Sequence, residues 1–451
     1  MASAPALATG PVLPDERVAS IDAVRGLAVL GILMMNIVEF AWPAEAYENP
    51  AYAGGSSGPD LWMWFAQVAL FDGKMRALFS MLFGAGLVLI AERMAQKGEG
   101  LSATDLLLRR CLWLVPFGIV HRFFLQFTGD ILYQYGLLGV IALAFRHLRP
   151  RPLIVLGIVW LLAFVPIGLR RYAQQCETRA QAVEAEQLQA AGATVPENLA
   201  NAQKRWQARE SAIPPKPEVL QKAIDEVRVG YWQLFRNHWD YHHSFQSAFL
   251  YYHWVFDVLG LMLVGMGLGK SGFFHGRWRA RSYALLVAIG AAVAIAQLVW
   301  AQAWRATGFR STALELRLLH DLTYAYSRLL VGLGWAAALL LVLRAGRLRA
   351  LTTALTAVGR MAFSCYILQT LCGSLLFYGY GFALFGRIDR APLVLVWLAI
   401  SLLQVGFSLA WLRAFRFGPL EWAWRSLTWW QWQPLRRPSS PDQQRSVSPS
   451  V

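Results

Sequence analysis

"VASIDAVRGLAVLGILMMNIVEFAW", residues 18–42, is apolar enough to form a membrane-spanning helix. A hydrocarbon core of about 30 Å needs roughly 20 such residues in helical form. Yet the stretch carries Asp22 and Arg25 in its first turns and Asn36 in its far half. An Asp or Arg at the centre of a span costs on the order of 2.5–3.5 kcal/mol, so such residues pair or face a polar cavity. Asp22 and Arg25 are three residues apart, which puts them on one helix face. Arg25 and Asn36 are eleven apart, close to three turns, and share that face.

The rest of the chain repeats this character. Of 451 residues 56% are hydrophobic and 15% charged, and 20 are tryptophan. A soluble domain of that length is less apolar. The N-terminus lacks a basic segment followed by an apolar core, so no cleavable signal is expected. Apolar runs predict about ten spans, near 20–42, 74–92, 107–127, 130–146, 152–169, 245–269, 282–304, 323–343, 357–382 and 391–412. The predicted fold class is therefore all-α, a polytopic transmembrane helix bundle.

The net charge of +15 is an orientation signal rather than a nucleic-acid footprint, and no nucleic acid is expected as a partner. Residues 42–73 contain no Lys or Arg, whereas basic clusters recur at every second connection, as at Arg146, Arg149 and Arg151 or Arg344, Arg347 and Arg349. The intervening connections hold only Arg122 in one and Arg387 and Arg390 in another. The alternation predicts a multi-pass protein of the bacterial inner membrane with both termini cytoplasmic. Membrane lipids are then partners, anionic headgroups meeting the basic loops.

Composition divides the chain further. Residues 1–19 form a cytoplasmic N-terminal segment, 20–170 the first five spans and 245–412 the last five. Between them 171–244, rich in Ala, Gln and Glu, reads as a helical extracytoplasmic insertion. Residues 413–437 mix Trp with Arg, as suits a helix lying in the cytoplasmic interface, where Glu421 is expected to pair with an arginine. The tail 438–451 reads as disordered. Four cysteines imply no disulfide framework. His238 and His242 have helical metal-ligand spacing without a further Cys/His pattern, and no metal is expected. His320–Asp321 reads as a solvated loop.

Polar residues interrupt three more spans. "FDGKMRALFSMLFGAG" opens with Asp72, Lys74 and Arg76, and its Gly84 and Gly86 would allow close helix packing. In the third stretch Arg109 and Arg110 lie at one end and His121 at the other, with a kink expected at Pro116, and Asp130 begins the following span on the same side as His121. The fourth stretch carries Arg360 at its start and Tyr366 and Gln369 deeper in.

These stretches together resemble the YeiB-like family of bacterial membrane proteins. The matching patterns are R-x3-I-D-x2-R-G-x-A-x-L-G-I-L-x2-N from Arg17 to Asn36, F-x-G-K-x-R-A-L-F-S-x-L-F-G-A-G from Phe71, F-G-x2-H before G-D-I-L, and G-R-M-A-x3-Y-x-L-Q from Gly359. "RFGPLEW" followed by "QPLRR" is similar to the family's ending. The family is distantly similar to transmembrane acyltransferases such as the lysosomal heparan-α-glucosaminide N-acetyltransferase. That similarity implies acyl transfer from cytoplasmic acyl-CoA, with acetyl-CoA first in mind, to an acceptor on the other side. The lysosomal enzyme's histidine follows its first span, and residues 42–73 here contain none.

Such chemistry needs a base, donors for a developing oxyanion and cations for the CoA phosphates. His121 is the candidate base, Asp130 its orienting carboxylate, and Asn36 and Gln369 the amide donors. Asp22, Arg25, Arg109, Arg110 and Arg360 are candidates for the acyl-CoA site, and Lys74, Arg76, Tyr133 and Tyr366 for substrate contacts. His253 with Asp257, four residues on, is an alternative base and carboxylate. A transporter or flippase for a small anion or lipid-linked precursor would use the same charges as a pathway. A homo-oligomer is compatible with either reading.

Overall fold

The computed structural model describes residues 19–96, 100–247 and 255–437. His253, both chain ends and the expected disordered tail lie outside the described residues. The expected all-α polytopic bundle forms, with no strand among the described residues. Its first helix, α1 (Ala19–Ala41), is central. Some 78% of its most apolar stretch is buried, against 17% for the peripheral helix Ala280–Ala306.

After α1 come two short helices, α2 (Ala44–Glu48) and α3 (Gly58–Ala66), and a π-helical turn at Gln67–Phe71. Then follow α4 (Lys74–Gln96), α5 (Gly100–Leu112) and α6 (Leu114–Ile119), a second π-helical turn at Val120–Phe124, and α7 (Leu132–Leu143). Next are α8 (Pro150–Leu161) and α9 (Phe164–Ala190), and then α10 (Glu197–Glu210), α11 (Pro217–Val227) and α12 (Tyr231–Ser244). The second half has α13 (Val255–Lys270), α14 (Ala280–Ala306), α15 (Leu314–Arg344), α16 (Arg349–Arg360), α17 (Ala362–Phe377), α18 (Leu393–Ala414) and α19 (Pro419–Trp429).

Among the described residues six stretches are long and apolar enough to cross a membrane: Ala19–Ala41, Gly58–Ala95, Pro150–Ala190, Ala280–Ala306, Leu314–Arg344 and Leu393–Ala414. Three of the other four expected spans fall on shorter or broken helices. The expected span 357–382 is entered through a bend of 86° between α16 and α17, and the two make a seventh crossing if taken together. The span 107–127 breaks at Trp113, between Leu112 and Leu114, and not at Pro116 itself. Proline has no N–H to return to Leu112, so the ladder fails one turn earlier. The span 130–146 is the 12-residue α7, and 245–269 is described at 245–247 and from Val255 onward.

Helices meet where glycine removes the side chain. A Cβ at Gly26 of α1 would strike the Leu355 carbonyl of α16, and one at Gly359 the Asp22 carbonyl, so those backbones touch. Gly84 of α4 meets Met262 of α13 in the same way, and Gly265 meets Met81. Gly86 differs from the expectation: nothing lies within 4 Å of its Cβ direction, because that face opens into a cavity.

The segment 171–244 is helical, as its composition suggested, but no chain break marks its start. α9 runs unbroken through 171, since Ala, Gln and Glu continue a helix that apolar residues began. α10 folds back on α9, tied by paired amide bonds between Gln189 and Gln203. α12 then returns to the bundle, where the Tyr231 hydroxyl donates to the Phe124 carbonyl at 2.8 Å. His320 and Asp321 are not in a loop; α15 starts at Leu314 and contains both, with Asp321 accepting from Arg171 at 3.1 Å.

Candidate functional site

A cavity of about 220 Å³ opens at the end of the bundle where α1 begins. Its wall includes Asp22, Arg25, Arg110, Arg360 and Tyr366, all singled out by sequence, and also Arg93, Arg425, Glu421 and Trp424. Arg25 donates to Asp22 at 2.7 Å and to the Gly359 carbonyl at 3.3 Å. The Gly26–Gly359 contact is what brings Arg25 and Arg360, distant in sequence, to one wall. Arg110 lies flat on the Trp424 ring, 3.7 Å from its centroid, while the Trp424 indole N–H donates to the Arg110 carbonyl at 2.9 Å. Such stacking holds a guanidinium in place and leaves its edge free for an anion. Arg109 is not brought in; it pairs with Asp105 away from the cavity.

Among the described residues Glu421 takes no arginine as partner. It accepts from the Phe363 amide at 2.7 Å, the Ser364 amide at 3.1 Å and the Ser364 hydroxyl at 2.5 Å. These are the amides at the start of α17, which have no partners inside their own helix, and the positive end of the helix dipole favours a carboxylate there.

Beyond the cavity, Tyr366 turns its ring edge to His121, with centroids 4.9 Å apart. His121 is fully buried, and its Nδ1 lies 2.7 Å from Asp130. Asp130 also accepts from the Leu132 amide at 3.2 Å and the Tyr133 amide at 3.1 Å, so it opens α7 and orients the imidazole together. Nε2 of His121 lies 2.7 Å from the Thr370 hydroxyl. For a neutral imidazole the carboxylate can only accept, so Nδ1 carries the proton and Thr370 donates to Nε2. The π-helical turn brings His121 and its neighbour Arg122 both fully inside. Arg122, expected in a connection, lies over the Phe245 ring at 3.8 Å, and among the described residues its three guanidinium nitrogens have no hydrogen-bond partner.

The remaining candidates sit elsewhere. Lys74 is buried and donates to the Val68 carbonyl at 2.5 Å. Arg76 and Arg328 both clamp Asp257, at 2.5 Å and at 2.7 and 2.9 Å. Tyr133 supplies Asp130 with a backbone amide. The Gln369 amide nitrogen is engaged, donating to the Val29 carbonyl at 3.0 Å and to Gln404 at 3.3 Å, so it is not an open oxyanion donor. Asn36 is half-buried on α1 and makes no side-chain hydrogen bond among the described residues. Arg390 lies in the connection between α17 and α18, as expected, but is buried there, donating to Gln67 and to the Ala46 carbonyl. His238 and His242 meet edge to face with centroids 5.4 Å apart, and no group of three metal-ligating side chains occurs among the described residues.

Fold and site together define a multi-pass, all-α membrane protein with a cation-lined cavity leading to a buried histidine. Residues 268–431 match the family model described as "Protein of unknown function (DUF418)". The chain is 31% identical over 441 residues to "Uncharacterized protein YeiB" of Escherichia coli (strain K12), covering 92% of this chain and 96% of that protein. It is 28% identical over 444 residues to "Uncharacterized protein YxaH" of Bacillus subtilis (strain 168), covering 95% and 98%. The chain belongs to the YeiB-like family. No solved structure gives a significant match.

Proposed function

We propose that this chain is an acyltransferase of the bacterial inner membrane, with both termini cytoplasmic. It moves an acyl group, acetyl in the first instance, from cytoplasmic acyl-CoA to an extracytoplasmic or membrane-embedded acceptor. The observation that carries this reading is the convergence of Arg25, Arg110 and Arg360 on one cavity whose inner wall, Tyr366, touches His121. Guanidinium forks suit the phosphates of CoA. Apolar residues such as Phe79, Leu82 and Phe83 line the rest of the cavity, as suits a pantetheine arm.

Across the reaction the acyl carbon exchanges its bond to the thioester sulfur for a bond to the acceptor's nucleophile, and the C–S bond breaks. In net terms one proton passes from the acceptor to the departing thiolate by way of Nε2 of His121, giving free CoA. Asp130 holds the imidazole and stabilises its charge while it carries the proton.

Purified protein incubated with radiolabelled acetyl-CoA is expected to release free CoA and to transfer label when membrane lipid or cell-envelope extract is added. A transporter or flippase instead moves label intact across a vesicle membrane with no CoA released, and that outcome would replace the acyltransferase reading. Orientation is tested separately, in a chain whose Cys176 and Cys372 are replaced by Ser. A periplasmic thiol reagent should label Ala191→Cys and miss Arg347→Cys; the opposite pattern inverts the topology.

A further inference from the structure

We propose that Thr370 itself carries the acyl group, as an ester, between the thioester and the acceptor. This deepens the acyl-CoA reading and rests on it.

Three elements remote in sequence build the arrangement. Thr370 comes from α17, His121 from the π-helical turn, and Asp130 from the residue pair preceding α7. Thr370 Oγ1 to His121 Nε2 is 2.7 Å, and His121 Nδ1 to Asp130 is 2.7 Å. A hydroxyl within reach of a base that a third group orients is the geometry by which an activated nucleophile is recognised, whatever the fold. Asp130 is tied to two backbone amides, which leaves it to orient and not to attack.

The hydroxyl's direction is informative because the same chain shows the alternative. Thr178, Thr323, Thr356 and Thr428, all within helices, donate to the carbonyl four residues back. That bond is what a helical threonine makes when nothing else claims it. Thr370 forgoes it and turns to the imidazole.

Position completes the argument. Tyr366 lines the cavity, and Thr370 is four residues further along α17, on the same face and about 6 Å deeper. The thioester of a ligand anchored by its phosphates at Arg110 and Arg360 has one helical turn to advance past the Tyr366 ring.

The first half-reaction has Oγ1 of Thr370 attack the thioester carbonyl carbon as Nε2 of His121 takes its proton. The C–S bond breaks, and the thiolate leaves as CoA thiol with that proton. In the second half the acceptor's nucleophile gives its proton to Nε2 and attacks the ester carbonyl carbon. The ester C–O bond breaks and Oγ1 recovers the proton. No oxidant or further co-reactant enters.

The test uses the full chain in detergent with acetyl-CoA and no acceptor, quenched in acid and mapped by peptide mass. An acetyl group is expected on the peptide containing Thr370, with one equivalent of CoA released in a burst. Thr370→Val, close in shape but lacking the hydroxyl, should still bind acetyl-CoA yet show no label, with CoA release slowed on the order of 10²-fold or more. Thr370→Ser should label, which separates loss of the nucleophile from loss of fold. Turnover of acetyl-CoA with Thr370 unlabelled, or wild-type release by Thr370→Val, overturns the covalent step and leaves the acyltransferase reading standing as direct transfer. Failure of the wild-type chain to bind acetyl-CoA at all overturns both.

Discussion

Two clusters of arginine and aspartate lie inside this bundle, and they are built in opposite ways. Around Asp257, Arg76 and Arg328 close on one carboxylate; Asp257 and Arg328 are almost wholly buried, and Arg328 also rests on the Tyr324 ring at 4.1 Å. Around Asp22, one carboxylate faces Arg25 while Arg110 and Arg360 stand at the same wall and share an open volume. Side chains of Arg25 and Asp22 keep 29% and 10% exposure, whereas Asp257 keeps none. Saturated charge holds helices together, whereas charge arranged around open space is what the proposed acyl-CoA site would use. The same residue types thus stand in two different geometries.

The comparison can be broken most easily at Asp257. Asp257→Asn leaves two inward-facing guanidinium groups without their counter-charge, an error that costs about 3–5 kcal/mol. Little folded protein is expected, measured as monodisperse yield and thermal unfolding in detergent. A stable Asp257→Asn protein would falsify the structural role of that cluster. Next in size, Arg110→Ala and Arg360→Ala should each weaken acetyl-CoA binding about 10- to 100-fold, the range for a lost charge-assisted contact, with the melting temperature unchanged. Variants that unfold, or that bind like wild type, would erase the distinction between the clusters. Asp22→Asn makes the same chemical change as Asp257→Asn but should cost much less stability. Arg25 keeps the Gly359 carbonyl and meets the cavity.

The smallest effect concerns α12, which packs on the π-helical turn that holds His121 and Arg122. Burial, with Arg122 adding to it, pushes His238 down from 6.5 to about 4. His242 is pushed down to about 2 by burial, then Arg122, then His238. Both imidazoles are therefore neutral when α12 is docked and take up protons more readily when it is released. Docking should weaken as pH falls below about 6.5, progressively towards 4. Hydrogen exchange of residues 231–244 measures this, and His242→Gln should flatten the dependence.

Much of this architecture could be read from the chain, and the misses have definite causes. Apolar runs located the central α1 and the other long helices because lipid imposes a composition on them. The pairing of His121 with Asp130 was legible because nine residues and a G-D turn separate them. Thr370 was not, since one hydroxyl inside an apolar helix has no pattern until the facing residue is known. Arg109 and Arg110 looked alike, but neighbours on a helix point about 100° apart and only one can face the cavity. Glu421 was read by charge, whereas its partners are helix-start amides 57 and 58 residues earlier, donors that no side-chain inventory contains.

The bend of 86° ahead of α17 leaves that helix short. With 16 residues α17 is about 24 Å long, short of the roughly 30 Å of a hydrocarbon core. Thr370 lies only seven residues, about 10 Å, from the far end of that helix. A group that reaches Thr370 has crossed more than half the length of α17. On the proposed acyl path, what remains of α17 ahead of it is two helical turns, so the length left to cross would be set by the protein and not by the lipid.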